Sequence, residues 1–231
     1  MPDLPRAELN RAFISLIVTL VLMAALLFGA AGSLSWGHGW AFMIVFVLLI
    51  LASMAALWRL NPEIFVARAR PTGQGTKGWD RVLMPILLIA FAAILPVAGL
   101  DDGRFHWAPA TGAWVILGYL LLVIGFAGTA WAQAVNRHFE PSVRIQSDRD
   151  HHVVATGPYA YVRHPGYSFA SLMAVGIAWS LGSWWALLPA VVVIAVLALR
   201  TNLEDATLQR ELPGYAEFAR NTRFKWIPGV W

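Results

Sequence analysis

The chain contains no cysteine, which excludes disulfides, thiolate metal sites and a cysteine nucleophile. Charge is equally scarce: 13% of its 231 residues are Asp, Glu, Lys or Arg, against 58% hydrophobic residues. No such charge occurs in four long runs, from Ala12 to Trp58, Val82 to Leu100, Phe105 to Asn136 and His164 to Leu199. A mean hydropathy of +0.61 lies outside the range of ordinary soluble domains. Internal repeats, a Gly-x-Gly-x-x-Gly turn, a Walker loop, HExxH and Gly-x-Ser-x-Gly are missing as well, so the soluble nucleotide-binding and hydrolase folds are not represented.

What is present is apolar mass in pieces long enough to cross a bilayer, which takes about 20 residues per helix. Ala12–Trp58 holds two such pieces, divided at the glycine-rich Ser33-Leu-Ser-Trp-Gly-His-Gly39. His164–Leu199 divides at Leu181-Gly-Ser-Trp184, its first half being short. Six hydrophobic helices are expected, at 13–32, 40–58, 82–100, 110–135, 167–181 and 184–200. The fold class is therefore an all-α polytopic bundle, a single membrane domain over 1–231. Its four N-terminal spans occupy 1–135, and residues 136–231 hold the loop, hairpin, C-terminal helix and tail where chemistry can reside. The first helix follows Arg6 and Arg11 as a signal peptide would, but its apolar run is longer than a signal core and it is expected to be retained.

The basic residues set the orientation. If the connections alternate sides, sixteen of the seventeen Lys and Arg residues fall on one face and only Arg104 on the other. By the positive-inside rule that face is cytoplasmic, with both termini. The net charge of +4 then suits anionic lipid headgroups better than nucleic acid, which is not an expected partner. No acid or base interrupts a span, which argues against an ion path through the bilayer.

Polar residues concentrate in the 59–81 loop, the 136–166 loop and the segment after Arg200. The densest stretch is Gly157-Pro-Tyr-Ala-Tyr-Val-Arg-His-Pro-Gly-Tyr-Ser168. Pro158 and Pro165 bias Gly157 and His164 away from helical geometry, and irregular backbone at a membrane interface is tolerated where it lines a polar cavity. Arg163 and His164 are thus plausible ligand-facing groups, although Tyr159, Tyr161 and Tyr167 would equally suit an interfacial aromatic belt. Further on, Arg200 and Glu204 stand one turn apart and are able to pair. Glu204, Leu208 and Glu211 share a helix face. Pro213-Gly214 ends that helix before an aromatic, basic tail. Gly118, Gly125 and Ala132 recur at sevens and predict close helix packing. Trp131, Trp179 and Trp184 are candidates for the edge of a lipid-admitting gap. The adjacent His151 and His152 point in different directions and show no metal-ligand spacing.

In order, His151, Val153-Val154, Gly157-Pro-Tyr159, Arg163-His-Pro-Gly-Tyr167, a hairpin over 167–200, Glu204-Asp205, and Tyr215 with Phe218 resemble the integral-membrane S-adenosylmethionine methyltransferases of the isoprenylcysteine carboxyl methyltransferase and phospholipid methyltransferase superfamily. The resemblance covers roughly His151 to the C-terminus. It implies that His151, Gly157, Tyr159, His164, Pro165, Tyr167, Glu204 and Asp205 contribute to an S-adenosyl-L-methionine pocket, with Arg163 and Glu204 as the catalytic pair. It further implies a lipophilic or lipidated acceptor, an isoprenylcysteine-like carboxylate or a lipid amine, with Arg163 holding a carboxylate. Asp205 departs from the usual second glutamate, and its shorter side chain reaches less far. Two other readings remain at this point: a membrane sterol-type reductase using NADPH, whose further acid near the loop is missing at Ser168-Phe169-Ala170, and a non-catalytic membrane scaffold.

Overall fold

The computed structural model describes residues 6–65 and 75–231, with side chains from residue 14. Arg68 and Arg70, two of the basic residues that set the expected orientation, lie outside the described residues, as do the side chains of Arg6 and Arg11. Helices α1 (Arg6–Ala31), α2 (Gly37–Leu60), α3 (Gly78–Leu100), α4 (Ala113–Val135), α5 (Pro165–Ser180), α6 (Leu187–Glu211) and α7 (Tyr215–Asn221) follow one another, and among the described residues there is no β-strand beyond an isolated bridge between Pro109 and Ser183. All six expected hydrophobic helices are present as α1 to α6.

Five of them, Ile14–Ala31, Gly37–Leu60, Gly78–Phe105, Ala113–Val135 and Leu187–Glu211, are long and apolar enough to cross a membrane. The exception is α5, whose 16 residues rise only about 24 Å. It nevertheless traverses the bundle. It begins at His164 beside the polar loop and ends at Leu181-Gly182, where the Gly182 carbonyl accepts from the Ala110 amide at 2.7 Å, at the start of α4. The α6 helix continues well past Arg200, to Glu211.

Glycine explains how the short helix is held. Helices α4 and α5 form the most extensive pairing in the bundle. A Cβ on Gly118 would lie 2.3 Å from the Ser180 amide, one on Gly125 2.3 Å from Met173 Cγ, and one on Gly176 2.6 Å from the Leu122 amide. Lipid tails give helices no hydrophobic reason to associate, so backbone approach of this kind supplies the dispersion contacts that do. Gly118 and Gly125 lie on that contact surface, with Gly128 against Phe169, whereas Ala132, one heptad further on, joins the buried cluster of Tyr159, Leu212, Tyr215 and Phe218.

At the end remote from the polar loop, α3 tightens into a π turn, Asp101–Phe105, that buries two carboxylates. Asp101 accepts from Ser183 Oγ at 2.6 Å and the Ala108 amide at 2.7 Å, while Asp102 accepts from Trp36 Nε1 at 2.7 Å and meets His38 Nδ1 at 2.7 Å. These bonds join the α1–α2, α3–α4 and α5–α6 turns. Arg104 is the one basic residue that the charge count places on this side.

Candidate active site

A pocket opens at the other end, walled by the 136–154 loop, the first turn of α5 and the outer half of α6, and closed by residues that return from the tail. Its floor is fixed by one buried ion pair. Asp80, fully buried in the first turn of α3, accepts from Arg200 Nε at 2.7 Å and NH2 at 3.2 Å, and from the Val143 amide at 2.7 Å. Arg200 NH2 also donates to the Pro141 carbonyl. One aspartate thereby sets α3, α6 and the loop in register. Arg200 pairs with Asp80 in place of Glu204, the helical neighbour expected from spacing. Beside this pair, Lys77 binds Glu211 at 2.6 Å, drawing the end of α6 to the start of α3.

The Arg-His-Pro turn folds as its prolines require. Pro165 occupies the first helical position of α5, where a missing N–H costs nothing, and His164 before it is non-helical at φ −126°, ψ 60°. Gly157 sits at φ +59°, a conformation that favours glycine, and starts the short turn Gly157–Ala160. The Arg163 guanidinium is spent internally. Its Nε and NH2 make a fork with Asp205 at 2.8 and 3.0 Å, and its NH1 donates to the carbonyls of Thr222 and Arg223 at 2.7 and 2.8 Å. Asp205 also meets His164 Nε2 at 3.2 Å and accepts from Tyr215 Oη at 3.0 Å. This network ties α5, α6 and the tail into the pocket's back wall, and the tail adds backbone bonds from the Arg163 and His164 amides to the carbonyls of Phe224 and Lys225, each 2.9 Å.

Of the residues expected at a site, His151, Tyr159, Arg163, His164, Pro165, Tyr167 and Glu204 line the pocket, and Gly157 and Asp205 do not. Asp205 stands behind the wall as the partner of Arg163, and Gly157 turns the chain against Val135 and Trp131. Glu204 accepts a short hydrogen bond from the Tyr167 hydroxyl. Burial pushes the Tyr159 and Tyr215 phenols well above their ordinary range, helped at Tyr215 by the neighbouring Asp205 and Glu204 charges, so both stay protonated at neutral pH. His151 is pushed down to about 4, chiefly by burial and then by the neighbouring His138, His152, Arg144 and Arg149. Burial lowers His138 as well.

Sequence reasoning did not mark Asp80, Asn136, His138, Glu140, Arg144 or Gln146. Asp80 carried one legible signal, an acid at the start of a hydrophobic helix. The tryptophan gap is corrected. Trp179 and Trp184 cluster with Trp114, at centroid distances of 5.0 and 4.9 Å, at the start of α4. Trp131 lies near the other end of that helix, against Gly157. Trp114 and Trp131 stand seventeen positions apart on the helix, or about 25 Å, so the three do not border one opening.

Comparison with known proteins places residues 113–213 within the family model of phospholipid methyltransferases. No curated protein matches the chain. The matched segment runs from the start of α4 to just past α6. It contains the Arg-His-Pro turn and Glu204, and leaves out Asp80 and Tyr215.

Proposed function

We propose that this chain, whose residues 113–213 form a membrane methyltransferase domain of the phospholipid methyltransferase family, moves a methyl group from S-adenosyl-L-methionine to a lipophilic acceptor at the cytoplasmic membrane face. The observation that carries this reading is the charge balance of the pocket. Each cation of its wall is already neutralised: Arg144 by Glu140 and Asp148, Arg163 by Asp205, Arg200 by Asp80. Glu204 has a tyrosine hydroxyl as partner and, among the described residues, no cation within ion-pair distance. A pocket with one carboxylate left over is complementary to a positively charged ligand, and the donor carries both a sulfonium and an ammonium.

The donor supplies an electrophilic methyl group for in-line displacement. The chain's own part is binding and alignment in a water-poor site. Glu204, held by Tyr167, balances the positive charge. His164 and Tyr159, both buried, fix the wall, and His151 presents a neutral aromatic ring. Gly157, Pro165 and Asp205 shape and brace that wall from behind. Arg163 acts as a brace too, because its donors are occupied. For the acceptor, the reading is a carboxylate of isoprenylcysteine type, with a lipid amine as the other chemistry. Arg200 is the group that would meet a carboxylate: Nε and NH2 are anchored on Asp80 and Pro141, its guanidinium lies 5.4 Å from the Tyr167 ring centre, and no described residue accepts from its NH1. A carboxylate is already ionised at neutral pH and needs no general base.

The cytoplasmic placement rests on basic residues at the pocket's end of the bundle. Binding of S-adenosylmethionine to the purified protein in detergent tests the proposal by calorimetry. Glu204→Gln should weaken binding on the order of 10-fold or more. Absence of binding by folded wild-type protein would sink it.

A further inference from the structure

Residues 215–231 brace the pocket and also carry a surface that the pocket does not use. The segment holds Arg220, Arg223 and Lys225 against a single acid, Glu217. Arg220 and Arg223 are exposed, and among the described residues neither guanidinium meets an acid or a carbonyl. Further along the same segment Ile227 and Val230 are 51% and 75% exposed. None of these four residues lines the pocket.

Contacts with α6 fix the depth of this surface in the bilayer. Leu188, Val192 and Leu199 are exposed along one face of that span, the face it turns to lipid. Asn202 continues the same face three residues past Leu199, or about 4.5 Å. There its Oδ1 accepts from Lys225 Nζ at 2.6 Å. Trp226 Nε1 donates to Thr201 Oγ1 at 2.6 Å, and the Trp226 carbonyl accepts from Ser168 Oγ at 2.8 Å, in the first turn of α5. Trp226 belongs to the apolar core of the bundle, and the Trp231 ring packs against it at 5.2 Å. The tail thus leaves α6 at Glu211 and returns to the level at which the apolar stripe stops, which is the headgroup layer. The Lys225 and Trp226 amides both donate to the Trp231 backbone oxygen at 2.9 Å, closing a turn that leaves Ile227 and Val230 outside it.

An exposed apolar pair in a segment with two unpaired arginines, held at this depth, is complementary to the boundary between acyl chains and negatively charged headgroups. A zwitterionic headgroup returns a positive charge for each phosphate it offers, so the excess of cations favours a lipid of net negative charge. The contact also reaches the pocket through the backbone. The Thr222 and Arg223 carbonyls hold Arg163 NH1, and those of Phe224 and Lys225 hold the Arg163 and His164 amides. Release of the tail breaks all four bonds.

We propose that Arg220, Arg223, Ile227 and Val230 form a docking surface for anionic phospholipid headgroups, separate from the site of methyl transfer, and that lipid bound there holds the tail on the Arg-His-Pro turn. The test uses full-length protein in nanodiscs of phosphatidylcholine alone or mixed with phosphatidylglycerol. Chymotrypsin, which cuts after aromatic residues, is added, and mass spectrometry follows release of the peptides that begin after Phe224 and Trp226. Such cleavage tracks the fraction of molecules with the tail released. An arginine near an anionic surface contributes about 1 kcal/mol, or about fivefold. Phosphatidylglycerol should therefore slow cleavage on the order of tenfold at low salt, and high salt should erase the protection. The double variant Arg220→Gln with Arg223→Gln should be cut at similar rates in both kinds of disc.

Equal cleavage of the wild-type tail in neutral and anionic discs would overturn the assignment and leave the surface to a protein partner. Protection that survives in the double variant, or that high salt does not reduce, would overturn it as well. The wild-type comparison across lipids and salt decides the matter if the double variant does not fold. None of these outcomes depends on the methyl donor, whose binding is tested separately.

Discussion

Replacing Asp80 with asparagine removes one charge from a pair shielded from water, with side-chain exposures of 0% for Asp80 and 5% for Arg200. The arginine cannot shed its proton, so it is left buried against a neutral amide. Breaking a buried pair in this way costs about 3–5 kcal/mol. For a chain of this length, 1 kcal/mol moves the melting temperature by about 2–4 °C, so the variant should melt about 6–20 °C below wild type. The amide oxygen can still accept from Val143, which directs the loss to the charge rather than to the loop contact. Thermal unfolding in detergent, followed by tryptophan fluorescence, measures it. The double variant Asp80→Leu with Arg200→Met separates charge from shape: replacing both ions with apolar side chains should cost much less than the two single losses added. A shift under about 2 °C for Asp80→Asn, or strict additivity in the double variant, would refute the role given to this pair.

Arg163→Lys should detach the tail, because an ammonium cannot both fork onto Asp205 and hold the Thr222 and Arg223 carbonyls. Faster proteolysis after Glu211, relative to wild type, is the readout. Gly118→Ala should weaken the α4–α5 contact by about 1–3 kcal/mol, since its Cβ would meet Ser180 backbone at 2.3 Å, whereas Gly29→Ala meets nothing within 4 Å and should be neutral or mildly stabilising in the same melting assay. A folded-state value of about 4 for His151, below its ordinary 6.5, means that the unfolded chain binds the proton more readily. Stability should therefore fall as pH drops from 6.5 towards 4, and His151→Gln should flatten that part of the melting-temperature profile. If the acceptor is a carboxylate, the labelled product is an ester that releases volatile methanol in alkali, while an N-methyl product keeps its label.

Much of the fold was legible because membrane helices announce themselves by the charges they lack. The runs from Val82 to Leu100 and from Phe105 to Asn136 locate α3 and α4 closely. Gly118 and Gly125 disclose the face that α4 turns to α5, while Ala132 in the same series packs in the cluster of Tyr159 and Leu212. The Arg-His-Pro turn was also readable, since Pro165 restricts both itself and its neighbour. What sequence could not reveal is partner choice over long separations. Asp80 and Arg200 stand 120 positions apart, so the local alternative, Arg200 with Glu204, was the pairing that helical spacing suggested. Arg163 looked free because the carbonyls that occupy it belong to residues 222 and 223, which local pattern cannot bring back to α5.

Methyl transfer itself is the most direct test. Membranes containing the wild-type chain, given S-adenosylmethionine labelled in its methyl group, should move label into the organic-extractable lipid fraction, and membranes with Glu204→Gln should move far less. Label that stays in the aqueous phase with folded wild-type protein, across membranes rich in prenylated and phospholipid acceptors, would contradict the account.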